Sequence, residues 1–418
     1  MSVIDKLKLG KHYRMERFSA LFTVLLAGMV VVTSLCFVGH MQKQDNSLSE
    51  TAIYSTKFTA SKTGVTGTVE NVYTSKDKTK TFLLLKFENV ENISTNANNY
   101  QMFLTGASVE RNKQTLDGQP SGSIYMFGNT GYMGIYLVNQ DGFGPQILDL
   151  VVRSNAELQK PEASDDVDEE VEDASFVKHD QFRVYFNPGA TKAEHLDCLD
   201  SKSAPSAMSF YNETVVKAEE AELHATLADE VDQMRVDLNQ ITEREERVMN
   251  ANINLPERPQ AIAGDTVVEN EDGSYTYKPA TVLPGGYDLD WQNTSVTDGF
   301  LDDLIADTDT PNMTTDQYFA MMSRERDGDA SKNQFRTDIE WTMKDGSLVA
   351  LLLDSEAGRY TELQKLCSDL TTSWNTYYSH KKAYQTQSLE KLLALEVSAD
   401  AVRTNSSINT EENVLQCY

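Results

Sequence analysis

Residues 18–38 read FSALFTVLLAGMVVVTSLCFV, a stretch without a single charge. As a helix rising about 1.5 Å per residue, it is long enough to cross a bilayer core. Its flanks predict an orientation. Residues 1–17 carry Lys6, Lys8, Lys11, Arg14 and Arg17 against Asp5 and Glu16, whereas GHMQKQDN on the other side offers one lysine. The positive-inside rule then makes 1–17 a cytoplasmic basic tail, 18–39 a transmembrane signal anchor, and the rest an extracytoplasmic bulk. A cleaved leader would have a shorter apolar core followed by a small-residue triplet, and none follows here. Lipoprotein processing would need small residues before Cys36, where Leu35 stands. The expected localisation is the cell membrane, with a single pass.

Composition points the same way. The formal net charge is -27 and the isoelectric point about 4.6. An acidic surface of this kind repels phosphate backbones, so nucleic acid is not an expected partner. With 40% apolar residues, the chain can bury more than one core. Its four cysteines, Cys36, Cys198, Cys367 and Cys417, are too few for a disulfide framework. Cys417, next to last in the chain, is the candidate for an intermolecular disulfide. Unpaired thiols are the alternative.

Beyond a polar connector, short apolar runs recur at roughly ten-residue spacing. They are Val65–Ser75, Thr81–Val90, Tyr100–Glu110, Ser123–Phe127, Gly131–Asn139 and Gln146–Arg153, separated by Gly, Asn and Asp turns. That rhythm predicts an antiparallel β-sandwich. The run EASDDVDEEVED, residues 162–173, holds eight acidic residues in twelve and reads as a solvated loop. Its spacing does not fit an EF-hand. Ser175–Asn187 then returns to the same sandwich, which is expected over 56–190. The apolar strand TFLLLKFENV, the Tyr100-x-x-Phe103-Leu104 strand and Gly131-x-x-Gly134-x-Tyr136-Leu137-Val138 together resemble immunoglobulin-like domains of bacterial lipoproteins and surface proteins. The resemblance covers about residues 56–154. It implies a binding or spacer module and brings no catalytic residue.

From 207 to 250 the period becomes helical. Val216, Leu223, Leu227, Val231, Met234, Leu238, Ile241 and Val248 form a coiled-coil-like seam that needs a partner. A second long helix is expected over 347–398, with Leu363, Leu366, Leu370, Trp374, Tyr377, Tyr384, Leu392 and Leu395 near one face. Together they predict an antiparallel hairpin. Residues 255–345 read as a small α+β head at its far end, with a β-hairpin turning at Asp272-Gly273. Tyr275, Tyr287 and Trp291 read first as core residues of that head, with a partner-binding tip as the sharper alternative. Residues 403–418 read as a flexible tail.

The overall fold class is thus a multidomain α+β chain: transmembrane helix, β-sandwich and helical hairpin with an inserted head. Signs of chemistry are sparse. No HExxH pair, G-x-S-x-G elbow, P-loop or dinucleotide loop occurs. His195 and Cys198, in EHLDC, have the spacing of half a zinc site, but no second half follows. No catalytic residue, cofactor or metal ligand is therefore assigned. The reading that results is a non-enzymatic scaffold component of a cell-envelope assembly acting by protein–protein contact. Its partners would be the membrane, other envelope proteins or further copies of itself. A ligand-binding receptor and a wall-active enzyme are the alternatives.

Overall fold

The computed structural model describes residues 29, 50–107, 116, 118–155, 179–306, 313–328 and 339–418. They form a mixed α+β protein of several sheets and long helices. In chain order the strands are β1 (Lys57–Thr59), β2 (Thr66–Thr74), β3 (Lys80–Phe87), β4 (Tyr100–Ala107), β5 (Ser121–Met126), β6 (Tyr132–Val138), β7 (Ile147–Ser154), β8 (Gln181–Phe186) and β9 (Glu194–His195). Next come β10 (Thr266–Glu269) and β11 (Tyr275–Lys278), and finally β12 (Ser407–Asn409) and β13 (Leu415–Cys417). The chain divides into two units. The first uses residues up to Phe127, Gly131–Pro205 and Ser407–Tyr418, and the second uses Gly128–Thr130 and Ser206–Ser406.

The transmembrane expectation is overturned. Among the described residues no helix is long and apolar enough to cross a membrane, because the long helices carry charges throughout. The signal anchor and the single-pass cell-membrane localisation fall with it. Residues 18–38 lie outside the described residues, Met29 apart, as do residues 1–17 and the acidic run 162–173.

In the first unit one sheet has the order β1-β2-β3-β6-β5-β12, with β9 parallel to β2, and a second has the order β13-β4-β7-β8. A single apolar core lies between them, with Val72, Leu83 and Ile135 from the first sheet meeting Met102, Leu150 and Val184 from the second. Strand β3 is a continuous apolar run, TFLLL, because both its faces are buried. Its outward Phe82 belongs to a further aromatic layer, with ring centroids 6.4 Å from Tyr73, 6.5 Å from Tyr125 and 6.4 Å from Phe127. Gly134 on β6 makes room for that ring, since a Cβ there would lie 2.4 Å from Phe82 Cζ.

The expected flexible tail, residues 403–418, is corrected. Residues 403–405 finish a helix, and the rest adds an edge to each sheet. Strand β12 pairs antiparallel with β5, and β13 pairs parallel with β4. Ser407 Oγ accepts from Ala97 N and donates to Thr95 O, both at 2.8 Å, and the buried Val414 offers its carbonyl to Met102 N at 2.7 Å. Three-residue strands have no periodicity of their own. They form only because the edges of β5 and β4 already present unpaired groups.

The second unit is helical. After α1 (Ala207–Tyr211), capped by Ser206, the chain passes through a π-helical segment, Asn212–Val216, into α2 (Lys217–Asn250). Short helices α3 (Leu301–Ala306) and α4 (Thr315–Gly328) precede α5 (Ala357–Lys382). A second π-helical segment, Ala383–Ser388, leads to α6 (Leu389–Asn405). Helix α2 runs antiparallel to the rod formed by α5 and α6: Glu230 meets Ser388, Asp237 meets His380, and Arg244 meets the Asp369 carbonyl. Residues 347–356, expected inside the second long helix, lie outside α5 and hold only short helical turns, because Glu356 adopts φ -142°, ψ 63°. The 255–345 insertion is not a head at the far end. Its first half is laid along the helices, tied to them through Asp265, Leu283, Trp291 and Phe300.

Removing residues 407–418 is expected to lower the unfolding midpoint by several degrees and to speed amide exchange in β4 and β5, a combination readable by hydrogen-exchange mass spectrometry. Unchanged exchange in both strands would show the tail to be dispensable. Burial pushes the Tyr100, Tyr125 and Tyr136 phenols up to about 12. The unfolded chain then gives up those protons first, so stability is expected to fall as pH rises from about 10 toward 12. Absorbance of the phenolate, followed beside circular dichroism, checks this. Their titration at an ordinary value in the still-folded chain would contradict it.

Candidate functional site

Of the residues expected at a partner-binding tip, two are interior. Tyr287 and Trp291 are buried, and Trp291 Nε1 donates to Tyr384 Oη at 2.7 Å. Tyr275 on β11 is half-buried beneath the Arg235 guanidinium, which stands 4.6 Å from its ring centre. These side chains hold the insertion to the helices, so the aromatic tip is withdrawn. Cys417, at the end of β13, is exposed and its thiol donates to the Pro120 carbonyl at 3.6 Å; neither it nor Cys198 nor Cys367 is in a disulfide among the described residues. His195 turns toward Asp197 and Asp200 rather than toward Cys198.

The densest polar cluster lies inside the second unit. Lys381, at the end of α5, and Asp265 are both fully buried, with Nζ 2.8 Å from Oδ2. The Tyr277 and Tyr377 hydroxyls donate to the same oxygen at 3.0 and 2.8 Å, and Ala280 N donates to Oδ1 at 2.8 Å. Lys381 also donates to the Ala261 carbonyl at 2.7 Å. Burial pushes the lysine down from its ordinary value and both phenols up. One turn on, the π-helical segment carries the buried Gln385, whose Oε1 accepts from Leu283 N at 3.0 Å. Glu220 and Glu396 play a similar part, accepting from Val296 N at 3.1 Å and Phe300 N at 2.8 Å. Lys381, Gln385, Glu220 and Glu396 each fasten loop backbone to a helix, and Tyr377 reaches Asp265 from α5. The arrangement fixes the insertion in register and offers no reactive atom to solvent.

An outward-facing feature is built beside the last turn of α2. Residues 252–254 cross against 341–344: Asn254 N donates to Thr342 O and Lys344 N to Asn252 O, both at 2.8 Å. Asn252 makes the turn at φ 62°. Beneath the crossing Ile253, Met343 and Val349 are buried. From this platform Leu351 and Leu353 point into solvent, 65% and 53% exposed, and Met249 on the last turn of α2 is 40% exposed. The sequence reading missed this knob by folding it into the long helix. The available signal was SLVALLLD itself, which is too continuously apolar for one face of a solvated helix.

No family model, no curated protein and no solved structure matches this chain.

Replacing Lys381 by Met strands a buried carboxylate and is expected to cost about 3–5 kcal/mol in urea unfolding. Adding Asp265→Asn should recover a large part of the loss. A double variant no more stable than the single one would show that the two charges do not act as a pair.

Proposed function

We propose that the chain is a non-enzymatic protein that acts through protein–protein contacts, carried by an immunoglobulin-like sandwich and a helical unit. The supporting observation is the pair Leu351 and Leu353, held outward on a hydrogen-bonded platform of an otherwise acidic chain. Isolated exposed leucines are ordinary, but two within three residues, next to a buried apolar base, resemble the centre of a contact surface. Covering them in a second protein would remove apolar area from water at about 25 cal/mol per Å².

The immunoglobulin-like part of the reading is supported by strand order. Taken in chain order from β2 to β8, the first, second, fifth and fourth strands share one sheet, and the third, sixth and seventh share the other. Constant-type immunoglobulin domains divide their strands between two sheets in that way. Such sandwiches serve widely as binding modules or spacers.

The most direct partner to test is a second copy. Light scattering of the full chain across about two decades of concentration, with and without reductant, is expected to show association. Leu351→Asp with Leu353→Asp should abolish it, whereas reductant should reverse only the part linked through Cys417. A monomer at every concentration would overturn self-association. A multimer indifferent to both aspartates would overturn the role of the leucine pair.

A further inference from the structure

Strand β9 lies beside the end of β2, and the turn Asp197–Asp200 folds back over it. His195 Nδ1 stands 3.2 Å from the Thr74 carbonyl oxygen on β2. A carbonyl only accepts, so Nδ1 carries a proton there, and in the neutral ring Nε2 presents its lone pair. Nε2 faces two carboxylates, Asp197 Oδ1 at 3.1 Å and Asp200 Oδ2 at 3.3 Å, which accept from it as an N–H when no metal is bound and would share a metal ion with its lone pair when one is. All three atoms lie within 4.8 Å of one another. A tetrahedron around zinc with bonds of about 2.0–2.1 Å has edges of about 3.3 Å. The two nitrogen–oxygen separations match that edge. Imidazole ligands of metals are characteristically held this way, with the other ring nitrogen fastened to a backbone carbonyl or a carboxylate.

We propose that His195, Asp197 and Asp200 bind a divalent transition-metal ion of the zinc class, with water completing the shell. One nitrogen and two carboxylate oxygens suit such an ion better than magnesium or calcium, which favour all-oxygen surroundings. Asp200 is prepared for the role. Lys76 N donates to its Oδ1 at 3.0 Å, which leaves Oδ2 turned toward His195. The Lys76 ammonium stands 3.0 Å from Oδ2. With its side chain 73% exposed, that ammonium is free to swing into solvent when a metal ion arrives. The sequence spacing His-x-Asp-x-x-Asp carries the site, and Cys198, between the two carboxylates, lies outside the cluster.

Calorimetric titration of the full, chelator-treated chain with zinc chloride tests the site. The expected result is one zinc ion per chain at about micromolar affinity. His195→Ala and Asp200→Asn should each weaken binding at least about tenfold. Cys198→Ser should leave it unchanged, and Lys76→Met, which removes the competing ammonium, should strengthen it several-fold. Circular dichroism without zinc establishes that each variant is folded. No heat up to about 100 μM zinc overturns the proposal. So does a His195→Ala chain that binds as tightly as the original, or a Cys198→Ser chain that fails to bind. Should His195→Ala misfold, Lys76→Met decides, because unchanged or weakened affinity there also overturns the proposal.

Discussion

Lys381 and Asp265 lie wholly out of water, and isolated ions in that position would each be unfavourable by several kcal/mol. The two tyrosine hydroxyls, the Ala280 amide and the Ala261 carbonyl supply what the solvent no longer does. Those partners come from segments far apart in sequence, so the pair is satisfied in only one arrangement of insertion and helix. Buried charge here works as a register mark. The same logic extends along the rod, where Glu220, Asp237 and Glu245 occupy buried positions on α2 that a plain coiled coil would fill with apolar residues. Glu245 receives both arms of the Arg258 guanidinium, Asp237 faces His380, and Glu220 receives the Val296 amide.

The first unit solves a different problem. Its central strands are buried on both faces, so β3 and β6 dispense with the alternation of a half-exposed sheet and rely on volume fit instead. Gly134 beneath Phe82 shows how tight that fit is. The polar rim around it is fixed by short side-chain contacts. One is Asp77 on Ser75 and Thr79, which holds that carboxyl down at about 2.

Much of this was legible from periodicity. Each strand from β2 to β8 overlaps a stretch that apolar runs and turn residues marked, with β3, β5 and β7 reaching one or two residues beyond it, and the α2 seam follows its heptad-like spacing. Three features were not legible, each for a physical reason. The tail strands depend on edges formed some 300 positions earlier, as in Ser407 with Ala97. Tyr287 and Trp291 have the composition of an exposed hot spot and the burial of a core, a distinction that rests on their contact with Tyr384 and its neighbours. Apolar length, the sole warrant for a membrane span, is a local property that no described helix displays. The His195 cluster was half visible. Spacing drew attention to Cys198, while the fold turned Asp197 and Asp200 toward the His195 ring.

The position of β12 and β13 after the second unit in sequence has a temporal meaning. Two hundred residues of the second unit are synthesised between the body of the sandwich and the strands that complete it. At about 5–20 residues per second, the edges of β4 and β5 stay uncovered for roughly 10–40 s of translation. During that interval β5 and β4 are each an open edge of their own sheet. The two edges of the first unit are therefore covered only after the second unit has been made.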